Sequence, residues 1–241
     1  MNFSLHFEAV FAESDLIWRG ILLTIGLSAT AIVLGTIIAV ALVAMRSLGN
    51  GAIRFGVDSY VELLRNTPFL VQLFMVFFGL PLVGFRMSGT QAALFAMTLN
   101  LSAYATEIIR ASVESIHRSQ VEAGLSLSLS RLQVFRYVVM KPAFAKIWPA
   151  LSSQFVLMLL ASSICSFISV PELSGAASII EQRTFRSFET YIVVTVIYLL
   201  LALALKIILA WFGHWLFRRR VKVFSPMTVQ EELPDVHIRL A

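Results

Sequence analysis

The chain has 241 residues, of which 58% are hydrophobic and only 14% are charged. Soluble domains have about a quarter of their residues charged, and a soluble fold of this length cannot cover so much apolar surface. The composition therefore excludes an ordinary soluble protein and predicts a membrane domain. The single cysteine, Cys165, excludes an intrachain disulfide,.

Five segments are long and apolar enough to cross a bilayer, which takes about 20 mostly apolar residues per helix. In chain order they cover residues 21–45, 66–85, 87–106, 147–171 and 190–217. Pro81 and Gly84 shorten the second segment, and residues 57–64 are predicted to extend its helix toward the interface. The fifth is interrupted only by Lys206 and His214. We therefore expect an all-α membrane protein with five transmembrane helices.

The basic residues are distributed unevenly along this topology. With five spans, fourteen of the 19 Lys and Arg fall on the side of the C-terminus and four on the side of the N-terminus, with Lys206 inside a span. Because basic loops stay in the cytoplasm, the N-terminus is predicted outside and the C-terminus inside. The same asymmetry explains the net charge of +5 without nucleic acid.

The chain is accordingly divided into three parts. Residues 1–16 are expected to form an external, periplasmic segment, because the charge asymmetry puts the N-terminus outside. Their acidic residues and the lack of a basic stretch indicate that they are not a secretory signal,. Residues 17–220 are the transmembrane domain. Residues 221–241 are expected to form a cytoplasmic tail.

The longest cytoplasmic loop, residues 110–146, is predicted to fold as two short helices over 120–127 and 131–140. Ser119 with Glu122, and Ser130 with Gln133, have the spacing of capping boxes,. Ser128 would lie at the bend between the two helices. The second helix would bury one apolar face, made of Leu132, Phe135 and Val139, and would end at Pro142,.

At this point the sequence resembles the polar-amino-acid permeases of ATP-binding-cassette importers over residues 18–220. The matching stretches are Tyr60-Val61-Glu62, Arg65-Asn66-Thr67-Pro68-Phe69-Leu70-Val71-Gln72, Ala103-Tyr104-Ala105-Thr106-Glu107-Ile108-Ile109-Arg110, and Gln120-Val121-Glu122-Ala123-Gly124 through Pro142. Ser163, Val170, Glu172 and Leu173 continue the match. The loop departs from the family pattern at Gly124, where the family has alanine, and at Ser128, where it has glycine.

The resemblance implies a bacterial inner-membrane permease that works with a dimer of cytoplasmic ATPases, a second permease chain and an external solute-binding protein. ATP would be bound by the ATPase, so this chain needs no cofactor and is not an enzyme. It has no GxxxxGK[ST] phosphate loop,. The implied coupling-loop residues are Ser119, Gln120, Glu122, Ala123, Gly124 and Ser128. The implied family-motif residues are Arg65, Thr67, Pro68, Tyr104, Glu107, Arg110, Pro142 and Glu172.

Several of these residues have a structural alternative. Glu122 would cap its helix, and would also contact the ATPase in the functional interpretation. Gly124 either allows a close backbone approach or is simply tolerated. Thr67 and Pro68 suit a helix start, with Arg65 at the headgroups, or else take part in gating.

Polar residues inside the spans are the candidates for the translocation path. They are Gln72, Asn100, Gln154, Ser162, Ser166 and Ser169, of which the three serines are predicted to share one helical face. The alternative is that they bond neighbouring helices, as small hydroxylated residues commonly do in lipid.

Lys206 is either functional, paired with a carboxylate, or extended toward the headgroups. The four histidines are too scattered for a metal site. The alternative function is a secondary transporter or channel that works alone.

Overall fold

The structure is a computed structural model that describes residues 5–217, with the side chains of residues 141 and 142 left aside. All the regular secondary structure of this part of the chain is helical. The α-helices are α1 (Glu8–Phe11), α2 (Ser14–Leu48), α3 (Gly51–Arg65), α4 (Phe69–Phe74), α5 (Gly89–Glu114), α6 (Arg118–Ser126), α7 (Arg131–Gln133), α8 (Lys141–Ala161), α9 (Leu173–Thr184) and α10 (Ser187–Phe217). Met75–Gly79 and Val134–Met140 are π-helical, and Leu80–Val83 and Ser162–Ile168 are 3₁₀-helical. The predicted tail, 221–241, lies outside the described residues.

Among the described residues, four helices are long and apolar enough to cross a membrane: α2, α5, α8 with its 3₁₀ extension, and α10. The helix pair α3 and Phe69–Val83, bent by 106°, adds a fifth crossing when it is counted as one span. The predicted all-α fold is confirmed, with four crossings, or the predicted five when this bent pair is one span.

The bend between α3 and α4 corrects the prediction that residues 57–64 continue the helix of the second span. These residues lie in α3, whose start is capped by Asn50, which accepts a hydrogen bond from Ile53 N at 3.1 Å. It ends before Pro68, whose backbone is extended, at φ −62° and ψ 139°. Proline disfavours helical geometry in the residue before it, so the chain turns here and α4 leaves in a new direction.

The main core lies between α2, α5 and α8. Alanines are frequent in it on α2 and α5, and Gly35 of α2 lets the Leu101 side chain of α5 approach closely, to 3.1 Å from where a Cβ would stand. Such close approach is how helices associate in lipid, where burial of apolar surface gives little driving force. A second apolar cluster packs α9 against α2 and α10, at the end of the bundle opposite the 115–130 loop.

Capping determines where α5 begins. Ser88 accepts a hydrogen bond from Gln91 N, and the Gln91 side chain accepts one from Ser88 N. This capping box was missed in the sequence, although Ser88 and Gln91 have the required spacing. The helix continues to Glu114, two turns beyond the predicted end of the third span.

The fourth span changes its helical type at Ser162. In the 3₁₀ segment Ser162, Cys165 and Ile168 are buried at a spacing of three residues, as this helix requires. The prediction that Ser162, Ser166 and Ser169 share one face is therefore wrong. It assumed an α-helix that continues to residue 171, whereas Ser169 has a left-handed backbone with φ 61°.

The prediction that Pro142 ends the second loop helix is also wrong. The backbone remains helical from Arg131 through a π-helical stretch into α8, with Pro142 in its first turn. The loop therefore leads into the fourth span without a break.

Candidate translocation cleft and coupling loop

The first loop helix, α6, is capped by a different residue from the one predicted. His117 precedes the helix, and its Nδ1 accepts a hydrogen bond from Ser119 N at 3.3 Å. The predicted capping box of Ser119 and Glu122 is wrong, because both residues lie inside the helix. Glu122 instead pairs with Arg118 one turn earlier, at 2.9 Å.

The bend after α6 is a Schellman motif. Leu129 N donates to Gly124 O, and Ser128 N donates to Leu125 O,. Ser128 has φ 59°, a left-handed conformation that favours glycine,. This explains why a glycine is the expected residue here, and it places the bend where the sequence predicted it. Ser130 then caps α7 in the predicted capping box with Gln133.

Gly124 is the contact point between the two loop helices. It is buried, and a Cβ at this position would lie 3.1 Å from a methyl group of Val134. The π-helical bonding after Gln133 moves the apolar face, so that Val134, Phe135 and Val139 are buried. Leu132 is 62% exposed, contrary to the prediction. The other predicted coupling residues are exposed: Ser119, Gln120, Glu122, Ala123 and Ser128.

The corner between α3 and α4 is held by side chains. The last carbonyls of a helix have no partner within it. Here Leu63 O accepts from Thr67 Oγ1 at 2.9 Å and Leu64 O accepts from Gln72 Nε2 at 2.6 Å. Thr67 thus bonds back to α3, and the prediction that it caps the following helix is wrong.

Gln72 and Asn100 are brought together across α4 and α5. Asn100 Nδ2 donates to Gln72 Oε1 at 2.9 Å, and both residues are buried. The Gln72 amide nitrogen also contacts Thr67 Oγ1, at 2.8 Å. These two translocation candidates therefore bond mainly to the protein itself.

Beside this pair lies a cleft of about 270 Å³ between α4, α5 and α8. It is lined by Thr67, Pro68, Phe69, Asn100, Tyr104, Gln154, Leu157, Met158 and Ala161. Within residues 5–217 the Gln154 side chain makes no hydrogen bond, so both ends of its amide are free. Three of the six predicted path residues, Gln72, Asn100 and Gln154, thus cluster at the corner, and two of them line the cleft.

The three serines of the fourth span do not line this cleft. Ser162 and Ser166 donate to helix carbonyls of Leu159 and Ser163, at 2.7 and 2.8 Å. Ser162 is fully buried and Ser169 is exposed. Their hydroxyl groups serve the local helix, which is the structural alternative stated for them.

Glu172 is the N-cap of α9 and lies in the connection between the fourth span and α9. Its carboxylate accepts from Gly175 N at 2.9 Å, Tyr198 Oη at 2.6 Å and Thr24 Oγ1 at 3.4 Å. The residue is fully buried, and this burial raises the pKa of its carboxyl above the ordinary value,. The sequence showed it only as a family-motif residue, although an acidic residue before a helix is a capping signal.

Lys206 lies on the exposed face of α10, and no carboxylate within residues 5–217 pairs with it. Pairing within the described chain is therefore ruled out as the explanation of Lys206.

The side chain of Pro142 lies outside the described residues. Within those residues no cluster of three or more His, Cys, Asp or Glu side chains is arranged to hold a metal ion.

Comparison with known proteins identifies the family. The family model described as "Binding-protein-dependent transport system inner membrane component" matches residues 31–219. The chain belongs to this family. It is thus a multi-pass membrane transport protein, a permease of the ATP-binding-cassette type, and not an enzyme.

Curated relatives match over nearly the whole chain. The probable glutamine ABC transporter permease protein GlnM of Bacillus subtilis is 31% identical over 207 residues, covering 86% of this chain and 94% of that protein. The glutamine transport system permease protein GlnP of Escherichia coli strain K12 is 31% identical over 204 residues, covering 84% and 93%. The octopine transport system permease protein OccM of Rhizobium meliloti is 28% identical, covering 91% and 93%.

Solved structures agree with the described fold. The crystal structure of an amino acid ABC transporter with histidines has a TM-score of 0.79 and 32% identity, covering 88% of this chain and all of that one. An inward-facing structure of the MetNI methionine ABC transporter has a TM-score of 0.70 at 18% identity, covering 84% and 97%. The second is a likeness of fold alone.

Proposed function

We propose that the chain is one of two permease subunits in an ATP-driven importer, and that a polar amino acid or an amino-acid-like solute passes along the cleft beside Gln154. The observation that carries this proposal is the free amide of Gln154 in a cleft between spanning helices. Polar groups inside a membrane are costly, and those kept there without a partner are functional candidates.

The cleft has the chemistry for such a solute. Gln154 offers both a donor and an acceptor, and the Asn100 amide leaves its oxygen free after donating to Gln72,. An α-ammonium group would donate to these oxygens, and an α-carboxylate would accept from the Gln154 nitrogen. The volume of about 270 Å³ suits a small solute,.

The loop of α6 and α7 is the proposed contact for the ATPase dimer. Leu125, Leu127 and Leu132 are 44%, 77% and 62% exposed on it. Exposed leucines grouped on a folded polar loop are typical of a protein contact. Glu122 would take part beside them, with the Ser128 bend and the Gly124 contact making the loop a rigid unit. Closure of the ATPases would push this unit and, through α8, switch the pathway between outward and inward access.

The arrangement in the membrane follows from the charges. We place the N-terminus and residues 1–16 in the periplasm, residues 17–220 in the bacterial inner membrane, and residues 221–241 in the cytoplasm. A second permease chain would complete the pathway, and an external solute-binding protein would deliver the solute to the α9 end. ATP would be bound by the ATPase and not by this chain.

The test is transport by the reconstituted complex. The chain is expressed with its neighbouring genes, co-purified with its ATPase and placed in proteoliposomes with the binding protein and ATP. Labelled amino acids should accumulate only when ATP and the ATPase are present. Uptake that needs neither would instead indicate a stand-alone secondary transporter or channel.

The role of the cleft is tested separately with Gln154→Leu, which keeps the side-chain size and removes the amide. We expect uptake to fall roughly tenfold, the scale of losing one or two hydrogen bonds to the solute. The control is Ser153→Ala, since the neighbouring Ser153 hydroxyl donates only to its own helix, at Pro149 O. Equal uptake by the two variants would show that the solute does not pass along the cleft.

A further inference from the structure

A chain of ion pairs crosses α2, α3 and α5 at the loop end of the bundle. Arg46 contacts Asp58 at 2.6 Å and Glu114 at 2.9 Å, and Glu114 contacts Arg110 at 2.7 Å. The members in order are Asp58, Arg46, Glu114, Arg110, Glu107 and Arg65. Most of these side chains are partly buried, and such networks are held more firmly than isolated surface pairs,.

The far end of this chain reaches the α3–α4 corner through Arg65. Arg110 donates two hydrogen bonds to Glu107, at 2.8 and 2.5 Å, and Arg65 lies 3.6 Å from the same carboxylate. The Arg65 guanidinium also lies 5.7 Å from the centre of the Tyr104 ring,. The Tyr104 hydroxyl donates to Arg65 O at 3.4 Å. Glu107 and Tyr104, one turn apart on α5, thus hold Arg65 from two sides.

The corner carries one wall of the cleft. Thr67 and Pro68 line the cleft, two and three residues after Arg65 in the sequence, and Tyr104 lines it from α5. A displacement of Arg65 therefore moves Thr67 and Pro68 relative to Asn100. The position of the cleft wall depends on the contacts of Arg65.

The near end of the ion-pair chain touches the loop. Glu114 is the last residue of α5, and the next residue, Ser115, accepts a hydrogen bond from Lys146 of α8 at 3.0 Å. Both flanks of the 115–140 loop meet at this point. A displacement of the loop would therefore be passed to Glu114 and along the paired side chains.

We infer that Glu107 is a positioning residue, which holds Arg65 and with it the Thr67–Pro68 wall of the cleft. Through the ion pairs, the position of the 115–140 loop then determines the position of this wall. The inference rests on the proposed function of the cleft. Glu107 does not line the cleft, so it acts through Arg65 and not on the solute. It is the one carboxylate that contacts both Arg65 and the Arg110–Glu114 segment among the described residues.

Glu107→Gln tests the inference, because it keeps the shape of the side chain and removes its charge. With the complex reconstituted, we expect uptake to fall roughly tenfold while ATP hydrolysis stays within about twofold, since a coupling contact is lost and the ATPase is untouched. Glu107→Asp should restore part of the uptake. The control is Asp15→Asn, which breaks the exposed pair with Arg19 at the other end of the bundle. A proportional fall of uptake, hydrolysis and thermal stability would show a merely structural role and overturn the inference.

A distance measurement separates this inference from the proposed function. Pro68→Cys and Leu157→Cys are placed on opposite walls of the cleft, and cross-linkers of different length are compared with and without Glu107→Gln. We expect the preferred length to change in the Gln background and to stay unchanged with Asp15→Asn. An unchanged preference would overturn the inference even if uptake falls. A changed preference in a complex that shows no ATP-dependent uptake would support the inference and refute the transport function.

Discussion

Two glycines of α2, Gly20 and Gly26, give a matched test of how α9 is packed. A Cβ added at Gly20 would lie 2.9 Å from Leu173 Cα and 3.1 Å from Ala176 Cβ. A Cβ added at Gly26 would meet nothing within 4 Å. Gly20→Ala therefore presses α2 and α9 apart, whereas Gly26→Ala changes only the local helix.

The magnitudes follow from the two environments. Alanine is favoured over glycine within a helix by about 0.5–1 kcal/mol, and both variants gain this. At Gly20 the nearest atoms belong to the α9 backbone and cannot rotate away, while carbon atoms pack at about 3.5–4.0 Å. Overpacking of this kind costs about 1–3 kcal/mol. The net loss for Gly20→Ala is about 1–2 kcal/mol, because the separation also stretches the 3.1 Å bond from Leu173 N to Thr24,.

The assay is the apparent melting temperature of the detergent-purified protein, taken at one scan rate because unfolding is commonly irreversible. At this chain length 1 kcal/mol corresponds to about 2–4 °C. Gly20→Ala should melt about 2–8 °C below the unmodified protein, and Gly26→Ala about 1–4 °C above it. Shifts of the same sign in both variants would refute the described contact between α2 and α9.

Three further predictions concern the loop and the buried carboxyl. Glu122→Lys should leave folding intact, since the side chain is 60% exposed, but should uncouple ATP hydrolysis from uptake. The control is Arg118→Ala, which breaks the same ion pair. Normal coupled uptake by Glu122→Lys would count against docking of this loop on the ATPase. Ser130→Ala should weaken the start of α7 by about 0.5–2 kcal/mol and speed hydrogen exchange there. Ser119→Ala should have a smaller effect on exchange at the start of α6, because its hydroxyl contacts the capping His117 Nδ1 at 2.7 Å but caps no backbone N–H itself. Equal effects would contradict the assigned caps. Because burial raises the pKa of Glu172, its stabilising contribution is complete below the unfolded pKa of about 4.3 and is lost as the pH rises through the raised value. The melting temperature of Glu172→Gln relative to the unmodified protein should therefore increase with pH, and a difference that is constant with pH would disprove this.

The spans and the loop were predictable because their signals are long or local. A stretch of 20 apolar residues has one stable environment, and charge asymmetry then suggests an orientation. The Ser130–Gln133 capping box and the bend at Ser128 need only neighbouring residues. The Ser119–Glu122 pair has the same spacing and no such role, because His117 caps the helix two residues earlier. Spacing alone does not select between competing caps.

The periodicity of apolar and polar residues in the sequence could not predict changes of helical type. The prediction of one face for Ser162 and Ser166 used 3.6 residues per turn, and the tighter 3₁₀ helix rotates them apart. The π-helical stretch that begins at Val134 buries Val134, whereas Leu132 of the preceding α7 is exposed. Neither segment carries a composition that distinguishes it from an α-helix.

The cleft illustrates why polar residues in a membrane segment cannot be ranked from sequence alone. Gln72, Asn100 and Gln154 are similar amides in similar apolar surroundings, and each was an equal candidate for the pathway. The turn at Pro68 leaves the last carbonyls of α3 without partners in the helix. The Gln72 side-chain nitrogen therefore donates to Leu64 O, and the Gln72 side-chain oxygen accepts a hydrogen bond from Asn100 Nδ2. Gln154 lies inside α8, across the cleft from this turn, and makes no hydrogen bond within residues 5–217. The amide that remains free is therefore determined by where a neighbouring helix stops, which is a property of the assembled fold.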